Sequence, residues 1–93
     1  MTVNSRTSIL IQMVAMNLLI KTLFAVKNEE EMENILKGLF TPGEIEEFAQ
    51  RIKIFKMLKD GVVQRTIAQE LGVGIATVSR GARELKEGNY KYV

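Results

Sequence analysis

The stretch QRTIAQELGVGIATVSRGARELK, Gln64 to Lys86, decides how this chain is read. Two short runs with helical apolar spacing, Gln64–Leu71 and Ile75–Lys86, flank Gly72-Val73-Gly74. Two helices joined by a glycine-containing turn are the pattern of a helix-turn-helix. Ala68 sits where the first helix must come close to the second, so a small side chain is needed there. Four residues on, Gly72 occupies the turn, where a left-handed backbone is easiest for glycine. Six further, Val78 pins the second helix to the first, and Ile67, Leu71 and Val73 supply the rest of the seam. An ordinary helical corner would usually carry charges on the outer side of its second helix. Here the start of that helix is Gly74, Ala76, Thr77 and Ser79, small enough for a helix N-terminus to sit deep in a major groove.

These residues predict DNA contacts. Gln64 and Arg65, at the start of the first helix, are placed to reach phosphate or a groove edge; Ile75, Ala76, Thr77 and Ser79 should face bases, with Gly74 a further DNA-binding position at the helix start. Methyl groups of Ile75, Ala76 and Thr77 suit thymine methyls, and the hydroxyls can bond bases or waters. Lys53, Lys56, Lys59, Arg83 and Lys86 are candidates for phosphate contacts, with plain surface charge as the alternative. The reader has few side chains for bidentate base contacts, so affinity should lean on phosphates and respond to salt.

Working outward, Thr41-Pro42-Gly43-Glu44 is a helix start: Thr41 can cap, Pro42 fits the first position and Glu44 completes a capping box. That helix should run to Asp60 with Ile45, Phe48, Ile52, Phe55 and Leu58 inward, and Gly61 should stop it. Before it, Asn28 reads as the cap of a helix from about Glu29 to Leu39, with Glu31 at the box position. Thr7 to Val26 contains no Gly or Pro and reads as one long apolar helix. Its run Ser8–Ile20 is taken as too short to span a membrane, with Gln12, Asn17 and Lys21 interrupting it, although Arg6 ahead of an apolar run resembles a signal sequence. The expectation is a helix buried nearly all round inside an oligomer core. Gly88 and Asn89 end the order, leaving a tail from Tyr90 to Val93. No strand or repeat is expected: the chain reads as all-α, five helices in one domain.

Composition narrows the chemistry. Ninety-three residues make a thin core, yet 46% are hydrophobic, and surplus apolar surface is often covered by a second copy. The absence of cysteine and histidine removes thiol nucleophiles, the commonest general base and the commonest metal ligands. The run Glu29–Glu33 reads as a charged helix start rather than an acid–base pair, so neither an enzyme nor a metal or cofactor is expected. Residues 28–47 carry a net charge of −6 and residues 51–93 a net charge of +5, the footprint of a polyanion binder at the C-terminal end.

The stretch Leu39–Lys86, LFTPGEIEEFAQRIKIFKMLKDGVVQRTIAQELGVGIATVSRGARELK, resembles the tryptophan repressor family, most diagnostically in LFTPGE, the Arg51 helix, Gln64-Arg65 and LGVGIATVSRG. The resemblance implies an intertwined all-α homodimer held through its N-terminal helices, a cytoplasmic, nucleoid-associated bacterial protein that binds operator DNA when L-tryptophan is its corepressor. Its parts would be a dimerisation arm over 1–40, a core helix over 41–61 and a reader over 64–86. By the same resemblance Arg51 and Arg80 would sandwich the indole, with Arg80 also holding the carboxylate. Thr41 would lie near that carboxylate, and Phe40, Ile54, Thr77 and Gly81 would form walls. Glu84 stands where the repressor has a serine near the ammonium group, and Gly38 replaces a leucine. The short connection Gly61–Ile67 and the run LFAVKNEEEMENIL look more like the TrpR-like (YerC/YecD) branch, so the alternative is a TrpR-like helix-turn-helix regulator responding to another ligand or none. A different class, a helical module that binds protein through its corner, would show partner binding insensitive to salt.

Overall fold

The computed structural model describes residues 5–89 and 91–93, and these form five helices without a strand. They are α1 (Ser5–Phe24), α2 (Glu29–Leu39), α3 (Pro42–Lys59), α4 (Gln64–Leu71) and α5 (Ile75–Lys86). All five expected helices are present. α2, α4 and α5 have the expected ends, whereas α1 stops at Phe24 instead of Val26 and α3 one residue before Asp60. The chain divides into two compact units, one running to Thr41 and the other from Pro42 to Val93.

In the first unit, α2 starts because Asn28 is extended and its side chain accepts the Glu31 N–H at 2.9 Å. The Glu31 carboxylate reaches back to the N–H of Lys27, one residue ahead of the cap, and to the Asn28 amide. This is the expected capping box, displaced by one residue on its return bond. Three acids in the first turn and Lys37 in the last complement the helix dipole.

α1 has no such asymmetry. Its 18 residues Thr7–Phe24 have a mean hydropathy of 1.6, which by length and composition is enough to cross a membrane. The expectation that the apolar run is too short therefore does not hold, because Leu23 and Phe24 extend it. Arg6, whose charge opens the run, lies outside the described side chains. Met13, Val14 and Leu18 are each more than 60% exposed, and no side chain between Thr7 and Thr41 is buried. The helix expected to be buried nearly all round is bare within one chain.

The second unit has a core with one fully buried residue from each of its helices: Ile54, Ile67 and Val78. Met57, Leu58, Val62, Ala68, Leu71 and Val73 pack around them, so the seam expected from the turn pattern is present. Gly72 is left-handed at φ 67°, ψ 34°, a conformation that costs a residue with a Cβ about 1–2 kcal/mol. Its N–H and that of Val73 both return to the Ala68 carbonyl, closing α4. Gly61 closes α3 in a similar way, with its own N–H on Leu58 and that of Val62 on Met57.

One inward assignment needs correction. Ile52 is 44% exposed, whereas Ile54 is 2% exposed. α5 comes against α3 at Ile54, Phe55 and Leu58, so the buried stripe is centred on Ile54 and leaves Ile52 outside. Beyond α5, the Lys59 ammonium donates to the main-chain oxygens of Lys91 and Val93, tying the tail to the end of α3. Tyr90, where that tail was expected to begin, lies outside the described residues.

Candidate functional site

Between α3 and α5 lies a cleft of about 430 Å³. Glu47, Gln50, Arg51, Ile54 and Phe55 line it from α3; Val73 lines it from the turn; Thr77, Arg80, Gly81 and Glu84 line it from α5. Gly81 makes the close approach possible. A Cβ placed there would lie 3.1 Å from Ile54 Cγ2 and 3.2 Å from Phe55 Cε1, tighter than ordinary contact. The Gln50 amide donates to the Leu71 carbonyl at 3.0 Å, fixing α3 to the last turn of α4.

The walls are charged and the floor is apolar. Arg51 and Glu47 stand one turn apart on α3, and Arg80 and Glu84 one turn apart on α5. The Arg51 guanidinium lies 5.8 Å from the centre of the Phe48 ring, a cation–π contact. None of these four charges forms an ion pair with another among the described residues. The Glu84 carboxylate instead accepts a 2.6 Å bond from the Asn89 side-chain amide.

Of the residues the resemblance nominated for a ligand, Arg51, Ile54, Thr77, Arg80, Gly81 and Glu84 come together in this cleft. Phe40 and Thr41 belong to the first unit. Phe40 is half-buried and closes α2 by donating its N–H to the Leu36 carbonyl at 2.9 Å; Thr41 is exposed ahead of Pro42. Glu47 and Gln50 were missed. Glu47 lies four residues before Arg51 and Gln50 four before Ile54, so carrying the Arg51–Ile54 face back one turn would have found them.

The residues nominated for DNA lie along the outer side of α4 and α5. Gly74, Ile75, Ala76, Ser79, Arg83 and Lys86 are exposed, with 75, 79, 83 and 86 at helical spacing, and Arg65 is exposed on α4. Thr77 was assigned to both faces; it lines the cleft. Ser79 Oγ donates to Gln64 Oε1 at 2.8 Å, so two nominated contacts are joined to each other across the helices. Lys59 is engaged by the tail.

Residues 14–93 match the model of the Trp repressor protein family. The chain belongs to the Trp repressor family. A Trp operon repressor homolog of Xylella fastidiosa is 36% identical over 78 residues, covering 83% of this chain and 85% of that protein. A Trp operon repressor homolog of Vibrio cholerae is 48% identical over 59 residues, 62% of this chain and 57% of that protein. Its counterpart in Vibrio campbellii is 45% identical over 60 residues, 63% of this chain and 60% of that protein. No solved structure matches. As a Trp repressor family member the chain is a transcription regulator of the repressor type and not an enzyme. DNA binding and dimerisation are general properties of Trp repressors, and the five-helix architecture agrees with their fold.

Proposed function

We propose that this chain is a sequence-specific transcriptional repressor that binds operator DNA as a homodimer, with L-tryptophan as its corepressor. The observation that carries this reading is the double use of α5. Thr77, Arg80, Gly81 and Glu84 line the cleft, and Ile75, Ala76, Ser79, Arg83 and Lys86 run along the exposed side of the same helix. A ligand between α3 and α5 would set the position of the helix whose other side meets DNA. α4 and α5 then act as a helix-turn-helix, with the N-terminus of α5 in the major groove and Gln64, Arg65 and the basic residues on phosphates. The guanidiniums of Arg51 and Arg80 suit a ring between them and a carboxylate on Arg80. The homodimer forms through α1, whose apolar surface is uncovered in one chain, and spaces its two readers about 34 Å apart to meet successive major grooves. Ligand binding selects the population with that spacing. The protein works in the bacterial cytoplasm, associated with the nucleoid.

A second reading, a TrpR-like regulator with another signal or none, draws on Glu84, whose carboxylate brings a negative charge into the cleft. One titration separates the two. The chain has no tryptophan of its own, so fluorescence anisotropy of added L-tryptophan reports binding directly. Saturation in the micromolar range, lost in Arg80→Ala, is the expected result. Absence of saturation removes tryptophan as the signal and leaves the TrpR-like reading.

A further inference from the structure

Between α4 and α5 lie only Gly72, Val73 and Gly74. The last four carbonyls of a helix have no partner within it. In α4 these belong to Ala68, Gln69, Glu70 and Leu71. The Ala68 carbonyl accepts the N–H groups of Gly72 and Val73. Gln69 and Glu70 are exposed residues whose carbonyls can turn to water. Leu71 is half-buried, and its carbonyl is met from another helix. The side-chain amide of Gln50 on α3, 21 residues away in sequence, donates to it at 3.0 Å. Gln50 thus caps α4 from outside. Neither helix of the pair is capped by its own N-cap side chain: Val63 and Gly74, which open α4 and α5, make no such bond. The first turn of α5 hangs on the Gly74 carbonyl, which accepts the N–H groups of Thr77 and Val78 at 3.1 and 3.4 Å. A shift of the Leu71 carbonyl therefore passes through Gly72 and Val73 to the start of α5. An eight-residue helix cannot resist that shift alone.

We propose that Gln50 is a positioning residue for DNA reading: by capping α4 from α3, it fixes the turn from which the reading end of α5 projects. It acts through Leu71 and contributes no charge to a phosphate. It governs how well a preferred sequence is told from others and leaves untouched the charge-driven affinity that all duplexes share. A loosened turn lets Ile75, Ala76 and Ser79 wander from base edges, while long arginine and lysine side chains still find phosphates. The proposal rests on the reading of α4 and α5 as a DNA reader and deepens it by naming what holds that reader to α3.

The test compares the full chain with two variants. Gln50→Met keeps the length of the side chain and removes the donor; Gln50→Glu puts a carboxylate where the Leu71 carbonyl needs a donor. Amide hydrogen exchange followed by NMR reads the turn without DNA. The Gly72 and Val73 amides should exchange about 10-fold faster in both variants, the size of one lost hydrogen bond, while the Ile67 amide in the middle of α4 keeps its rate. A duplex selected by the wild type from a random pool, with L-tryptophan present and absent, then serves as the preferred site, and a scrambled duplex of the same length as the reference. In Gln50→Met, affinity for the selected duplex should fall about 10-fold, and affinity for the scrambled one should change less than about 2-fold with the same salt slope. Equal loss on both duplexes, with a lower melting temperature and faster exchange at Ile67, means a merely structural role and overturns the proposal. Unchanged exchange at Gly72 and Val73 overturns it as well. A selected duplex that Gln50→Met binds as tightly as the wild type does overturns the role of Gln50 and leaves the DNA reader standing. Failure of the wild type to select any duplex overturns the reader, and the proposal with it.

Discussion

Gly81 brings α5 against α3 at a separation that is tight for a methyl group. Its Cβ would lie 3.1 Å and 3.2 Å from Ile54 and Phe55, two buried side chains that would each have to give by a few tenths of an ångström. Gly81→Ala is therefore expected to lower stability by about 1–3 kcal/mol, the cost of overpacking a filled site. A urea titration measures it, and unchanged stability would mean that the two helices separate freely. Gly72 offers a contrast. Nothing lies within 4 Å of a Cβ there, so its requirement comes from φ 67° alone. The sequence reading found Gly72 because a turn demands a left-handed residue. It placed Gly81 only through the family resemblance, because a glycine inside a helix declares no reason until the neighbouring helix is in place.

α4 is eight residues long, too short to persist alone in water, and it keeps its shape through burial of one face. Ile67, with no exposed surface, is the anchor of that face. Ile67→Ala should cost about 2–5 kcal/mol, a large share of the stability of so small a unit. Circular dichroism should then show partial helix loss at 25 °C; full helicity up to an unchanged melting temperature would place the anchor elsewhere. The ends of α2, α4 and α5 were readable because Asn28, Gly72 and Gly88 punctuate them by local chemistry. The inward stripe of α3 was readable at Phe55 and Leu58 and misplaced only where Ile52 was taken for Ile54. Ile52 and Ile54 flank that stripe on either side, and only the close approach of α5 at Gly81 shows that Ile54 is the one covered. The cleft was readable at Arg51 and Arg80 through resemblance alone. Glu47 and Gln50 look like ordinary surface until α5 stands opposite.

Taken together, the chain separates its charges by task. Residues 28–47 hold net −6 and residues 51–93 net +5, with Arg83 and Lys86 on the exposed side of α5. If α5 delivers those charges to phosphates, binding to a DNA duplex must weaken with salt. Arg83→Ala should reduce the slope of log affinity against log salt by about 1. Anisotropy of a labelled duplex over a range of potassium chloride measures this, and an unchanged slope would place Arg83 off the DNA.

The bare first unit has one more consequence. Between Thr7 and Thr41 no side chain is fully buried, so this half of a single chain has little interior of its own to lose on heating. In the proposed homodimer that interior is created by encounter, and the resistance of α1 to melting becomes a matter of mass action. Dilution then does what heat does. The number of copies in the cell would decide how many readers are properly mounted. Synthesis of the chain would become an input to the switch alongside any ligand, with each copy's persistence set by how soon it meets another.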